Sequence, residues 1–93
     1  MTDVELLEAM VKAIVANPDK VQITRKVDEM GVLMELTIDQ SDMGTVIGKQ
    51  GNTAKALRTI LRAFGAKTNA RLNLKIIEPE GGRPPREFSQ SEM

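Results

Sequence analysis

Val46-Ile47-Gly48-Lys49-Gln50-Gly51-Asn52-Thr53-Ala54-Lys55-Ala56-Leu57-Arg58 lies in the middle of the 93-residue chain. Two glycines bracket two polar residues. A short apolar-and-small segment, Met43 to Ile47, precedes them, and helical periodicity follows from Asn52 to at least Phe64. Glycine adopts backbone angles that other residues resist, and it lets a ligand approach the main chain closely. A helix opening at Gly51 or Asn52 aims its first, unbonded amides into the loop. Those donors and the helix dipole favour an anion, most commonly a phosphate. Lys49 adds a full positive charge at the same place. Such a site requires Gly48 to Gly51 to stand clear of the protein, with amides unclaimed by neighbouring carbonyls.

The loop is not a nucleotide-binding one. The Walker pattern needs four residues between its first Gly and the Gly-Lys pair, then Ser or Thr. Here Gly44 and Gly48 are separated by three residues, and Gln50 stands where the Mg²⁺-binding hydroxyl belongs. The segment also follows a short helix rather than leaving a strand, and no G-x-G-x-x-G fingerprint is present. What remains is G-x-x-G between two helices, the arrangement that clamps nucleic-acid backbone.

Charge is segregated although the net is zero. From Met43 to Ile77 there is no acid and there are seven bases: Lys49, Lys55, Arg58, Arg62, Lys67, Arg71 and Lys75. Residues 1–42 carry nine acids against four bases, and residues 78–93 four against two. A cationic surface on a neutral molecule is the footprint of a polyanion ligand, with a merely solvated face as the bland alternative. The chain has neither Cys nor His, which excludes a disulfide scaffold, a Cys-ligated metal and the commonest general base. No stretch reads as a signal peptide or a membrane span, so the expected place is the cytoplasm. No cofactor, metal, small-molecule substrate or enzymatic role is indicated.

Along the chain, Thr2-Asp3-Val4-Glu5 fits a capping box, followed by Val4, Leu7, Met10, Val11, Ile14 and Val15 at helical spacing. This predicts a helix of about four turns, stopped by Asn17-Pro18. Val21 to Val27 alternates as a half-buried strand, and Arg25 on its apolar face places it near a sheet edge. Asp28-Glu29-Met30-Gly31 forms a turn. Val32, Met34, Leu36 and Ile38 predict a stronger, antiparallel second strand. Ser41 is the preferred N-cap of a short helix from about Asp42 to Ile47. In the next helix Leu57, Ile60, Leu61 and Phe64 share the core face, with Ala54 at its margin. Lys55, Arg58 and Arg62 form a stripe roughly 60° wide beside it. That helix exits near Thr68-Asn69. Leu72, Leu74 and Ile76 then alternate with Arg71, Asn73 and Lys75 in a third strand. Residues 80–93 are dense in breakers and read as a disordered tail.

The order helix, strand, strand, helix, helix, strand, with the run Val46 to Arg58 across the helical pair, resembles the KH domain in its bacterial, type II arrangement. With one such domain filling residues 1–79, the chain is similar to the small bacterial single-KH RNA-binding proteins, the KhpA-like family. The resemblance implies an α+β fold with a three-stranded mixed sheet and helices packed on one face. It implies a groove for about four nucleotides of single-stranded RNA. Gly48, Lys49, Gln50 and Gly51 would hold the sugar–phosphate backbone, and Ile47 would lie under the bases. Lys55 and Arg58 would line the groove from the following helix, and Arg71 and Lys75 would form its opposite wall. Asn52 departs from the Arg expected at that position, which removes one phosphate contact.

The resemblance further implies a homodimer, or a pair with a larger Jag-type KH protein. It implies a role as RNA chaperone or post-transcriptional regulator affecting growth or cell shape. Composition agrees: the chain has no Tyr or Trp, so bases must rest on aliphatic side chains rather than aromatic platforms. A protein-interaction module with RNA secondary is the alternative, and single-stranded DNA stays open as ligand.

Overall fold

The computed structural model describes residues 1–77. The tail read at 80–93, and the end of the domain range at 79, lie outside these residues. Helix α1 spans Asp3–Ile14 and opens with the capping box read from the sequence. The Glu5 amide donates to Thr2 Oγ1 at 3.1 Å, and the Thr2 amide donates to Glu5 Oε1 at 2.8 Å. Leu7 and Val11 carry its buried face. The helix is shorter than its apolar stripe predicts, and Ile14 is 42% exposed. Val15 turns extended, and the next two amides, of Ala16 and Asn17, donate to the Asp42 carboxylate instead of continuing the helical ladder. The termination is therefore tertiary as well as local, with Pro18 opening a single 3₁₀ turn beyond it.

Strands β1 (Gln22–Asp28) and β2 (Gly31–Thr37) form an antiparallel hairpin, and β3 (Leu72–Ile77) pairs parallel to β2. The order β1-β2-β3 makes the mixed sheet expected, with β1 at an edge. Arg25, the cation interrupting the apolar face of β1, donates from Nε to both Asp3 oxygens at 3.2 and 3.3 Å. Gly31 closes the turn at φ 122°, and a Cβ there would lie 2.6 Å from the Arg71 carbonyl oxygen. Beyond the reach of the helices, Val27 is 65% exposed rather than buried.

Parallel pairing of β2 with β3 needs a crossover, which helices α2 (Met43–Ile47) and α3 (Asn52–Thr68) supply. Val32, Met34, Leu36 and Ile38 face the helices and meet Leu7, Val11, Val46, Leu57, Leu61, Leu72 and Leu74 in one core. Helix α3 runs through Gly65 to Thr68 and ends on Asn69 in the left-handed region, as the Thr68-Asn69 pair suggested. Its buried line is Ala54, Leu57, Leu61 and Gly65. Ile60, expected in the core, is 46% exposed, and Phe64 is half-buried. Gly65 explains this: a Cβ there would collide with the Ala70 carbonyl oxygen and sit 3.0 Å from Leu72 Cγ. The glycine lets α3 settle on the start of β3, which rolls Ile60 outward. No helix among the described residues is long and apolar enough to cross a membrane.

Candidate nucleic-acid interface

Two side chains fix the position of α2. The anticipated N-cap, Ser41, does not cap it. Asp39 accepts from the Ser41 amide at 3.0 Å and from its hydroxyl, capping a 3₁₀ turn over Gln40–Asp42. These bonds, hydroxyl first, hold the Asp39 carboxyl below its ordinary pKa of 3.8. Asp42, which makes no side-chain cap, is 3% exposed. Its oxygens accept from the amides of Ala16 (3.0 Å) and Asn17 (3.1 Å) and from Asn17 Nδ2 (3.2 Å). A buried carboxylate satisfied by three donors ties the end of α1 to the start of α2. In the sequence, Asp42 looks like one more helix-start acceptor. Its partners lie about 25 positions upstream, and only tertiary structure reveals them.

Helix α2 ends as the Gly48 amide donates to the Gly44 carbonyl at 2.8 Å. Gly48 then takes φ 77°, ψ 175°, a conformation reserved for glycine. It also lacks room: a Cβ would collide with Thr53 Oγ1 and stand 2.7 Å from the Thr53 amide nitrogen. Gln50 (φ 56°, ψ 26°) and Gly51 (φ 77°, ψ 14°) are both left-handed. Around Gly51 the space is open, with nothing within 4 Å of a hypothetical Cβ. Lys49 and Gln50 are exposed, while Gly48 and Gly51 are half-buried.

The condition that the amides of Gly48 to Gly51 be unclaimed is met by only two of the four, since Gly48 already donates to the Gly44 carbonyl. Gly51 donates to the Gly48 carbonyl at 3.2 Å and Asn52 to the Lys49 carbonyl, which closes the bend as a 3₁₀ turn. The amides of Lys49 and Gln50 have no acceptor among the described residues. The available N–H groups thus sit at the tip of the loop, one or two positions before the helix.

Of the ten residues read from the sequence, the structure brings together Ile47, Gly48, Lys49, Gln50, Gly51, Asn52, Lys55 and Arg58. Ile47 is half-buried, and Lys55 is exposed on the first turn of α3. Arg58 lies across from α3 to β3, its Nε donating to the Leu74 carbonyl at 3.4 Å. Arg71 and Lys75 stand apart from this group. Arg71 precedes β3 beside Gly31 at the hairpin, roughly 20 Å of strand from Ile77. Lys75 pairs in register with Glu35 and is exposed on the sheet face away from the helices, because strand alternation sends it opposite to Leu74. Thr53, whose hydroxyl backs Gly48, is a positioning contact absent from the sequence reading.

The electrostatics are sharper than the sequence suggests. Among the described residues the ion pairs are Lys12–Glu8, Arg25–Asp3 and Lys26–Glu35. All their cations belong to the acid-rich first part of the chain. None of the seven cations between Met43 and Ile77 is paired with an acid among the described residues, and all but Arg58 are exposed.

A helix, an antiparallel hairpin, a helix–GxxG–helix unit and a final strand parallel to the second define a type II KH domain, an α+β module. Comparison with known sequences agrees. The family described as KhpA/KhpB, KH domain matches residues 4–76, and the chain belongs to that family. It is 44% identical over 73 residues to the RNA-binding protein KhpA of Clostridium acetobutylicum, covering 78% of this chain and 97% of that protein. To the RNA-binding protein KhpA of Aquifex aeolicus it is 46% identical over 74 residues, covering 80% and 94%. To that of Listeria monocytogenes it is 42% identical over 74 residues, covering 80% and 97%. No solved structure gives a significant match. Membership of this family agrees with the expectation that the chain is not an enzyme.

Proposed function

We propose that this chain binds single-stranded RNA, gripping the backbone of about four nucleotides at Gly48–Gly51, and acts as an RNA chaperone or post-transcriptional regulator. The observation that carries this reading is the loop tip. Two unclaimed amides, of Lys49 and Gln50, sit beside a lysine with no acidic partner among the described residues. Phosphate oxygens accept from such amides, and Lys49 and Lys55 supply charge. Ile47 offers an aliphatic surface to bases, and Arg58 marks the β3 side of the groove. The relatives named as RNA-binding proteins support the ligand class. Arg71 and Lys75 contribute at most long-range attraction.

Lys49→Asp together with Gln50→Asp reverses the loop's charge at two exposed positions. RNA affinity falls at least tenfold in fluorescence anisotropy, while thermal unfolding stays nearly unchanged. Affinity of the parent falls by about 0.7 log unit per log unit of salt for each phosphate neutralised. Unaltered binding by the double variant, or a response flat in salt, refutes the assignment.

Self-association is a second part of the proposal, favoured by Ile60. This large apolar side chain is half-exposed on α3, flanked one turn either way by exposed Ala56 and Ala63. A second copy, or a larger KH protein, covering this strip would raise RNA avidity through effective concentration. Ile60→Lys leaves stability within about 0.5 kcal/mol, as befits an exposed site. It yields a monomer in sedimentation equilibrium; a parent chain that is itself monomeric removes this part.

A further inference from the structure

We infer that residues 78–93 act as an intramolecular competitor for the cationic groove, regulating the RNA site proposed above and resting on that reading. The family match stops at residue 76, and the shared region makes up 97% of the Clostridium relative but 78% of this chain. Residues 78–93 are therefore an addition to what these relatives have in common, joined directly to the end of β3.

The place of that junction follows from how α3 and β3 run. Gly65 lies against Ala70 and Leu72, and Arg58 bonds the Leu74 carbonyl, so strand and helix are antiparallel. Ile77 accordingly ends at the Asn52 end of α3, where the Gly-bracketed loop and Lys55 are. Reach does not limit the segment, since about 3.3 Å per residue exceeds the 36 Å long dimension of the described fold within a dozen residues. Charge selects its seat. The segment carries Glu78, Glu80, Glu87 and Glu92 against Arg83 and Arg86, with two glutamates in its first three positions. The loop and helix end beside which it leaves carry Lys49, Lys55 and Arg58, none of them paired with an acid among the described residues. A weak polyanion tethered this closely acts at roughly millimolar effective concentration, enough to contest a loop that holds only about four nucleotides. RNA then binds in proportion to the fraction of molecules whose groove is vacated.

Two measurements on the full chain test this. First, the parent lacks cysteine, so Ser89→Cys carries a single nitroxide. Its paramagnetic broadening falls on the amides of Lys49 to Lys55, and both salt and a single-stranded RNA oligonucleotide relieve it. Second, Glu78→Gln with Glu80→Gln tightens binding of that oligonucleotide about threefold at low salt. Asp19→Asn with Glu29→Gln, the same charge change elsewhere, moves it much less. The advantage of the first pair fades as added salt shortens the Debye length. Absence of broadening at the loop overturns the inference while leaving RNA binding intact. Weaker binding by the Glu78/Glu80 pair also overturns it, and shows that the segment assists RNA instead. Broadening at the loop in a parent that binds no RNA overturns the RNA reading, and the competition falls with it.

Discussion

Gly48→Ala and Gly51→Ala make the same chemical change on either side of the loop tip, and the structure assigns them different costs. At Gly51 the added methyl meets open space, and the penalty is that of a left-handed alanine, about 1 kcal/mol. At Gly48 the backbone occupies a region that only glycine populates freely, a penalty of roughly 1–3 kcal/mol. The methyl must also displace Thr53, whose backbone nitrogen would be 2.7 Å away and whose Cβ would be 2.8 Å away. Thr53 belongs to the first turn of α3 and cannot retreat without moving the helix. The total is about 3 kcal/mol, near the upper end of single-substitution effects. For a domain of this size each kcal/mol shifts the melting temperature by about 4–8 °C. Gly51→Ala should lower it by about one such step and Gly48→Ala by about three. With neither Trp nor Tyr in the chain, the assay is far-UV circular dichroism. Equal shifts, or a larger one at Gly51, would refute the claim that Gly48 is held by conformation and by Thr53 together.

The remaining predictions concern the supports of the same loop. Gln50→Gly relieves a left-handed non-glycine residue and should raise the melting temperature by a few degrees, or about 0.5 kcal/mol; a marked decrease would show that the Gln50 side chain stabilises the turn. Asp42→Asn replaces an acceptor of buried amides with a donor and should cost about 2 kcal/mol by denaturant unfolding. An unchanged midpoint would mean that the contact between α1 and α2 is dispensable. For Asp39, the folded pKa lies below the unfolded one, so its contribution is fully present above the unfolded pKa. It is lost as pH falls through the folded pKa. Ser41→Ala removes the leading cause and should raise the Asp39 midpoint in an NMR titration of its carboxyl carbon; no movement would dismiss the Ser41 hydroxyl as the cause.

Local chemistry made much of this fold legible. The Thr2–Glu5 capping box, the alternation of Val32, Met34, Leu36 and Ile38, and the glycines at 48 and 51 each state their conformation within a few residues. Arg25 announced an edge strand because a cation on an apolar face needs an exit or a partner, and it has Asp3. What escaped is what depends on contacts between distant segments. Helical periodicity counted Ile60 as core, but the close approach of Gly65 to Ala70 sets the roll of α3. Proximity in sequence favoured Ser41 as the cap, whereas Asp39 caps the turn and Asp42 reaches back to α1. Arg71 and Lys75 share a cationic segment with Lys49, yet strand direction and alternation carry them away from it. Charge counting marked a cationic segment, and only the register of β3 divided it into the residues beside the loop and those behind the sheet.

The most direct measurement is a titration of the ¹⁵N-labelled chain with a short single-stranded RNA, followed by amide shifts. Because the Lys49 and Gln50 N–H groups are the unclaimed donors of the loop, their resonances should move first and farthest downfield. Gly48, Gly51 and Lys55 should follow, and Asn73 and Lys75 on the opposite sheet face should stay still. Movement confined to that opposite face, with Lys49 and Gln50 unmoved at saturation, would contradict the assignment of the Gly48–Gly51 loop as the RNA grip.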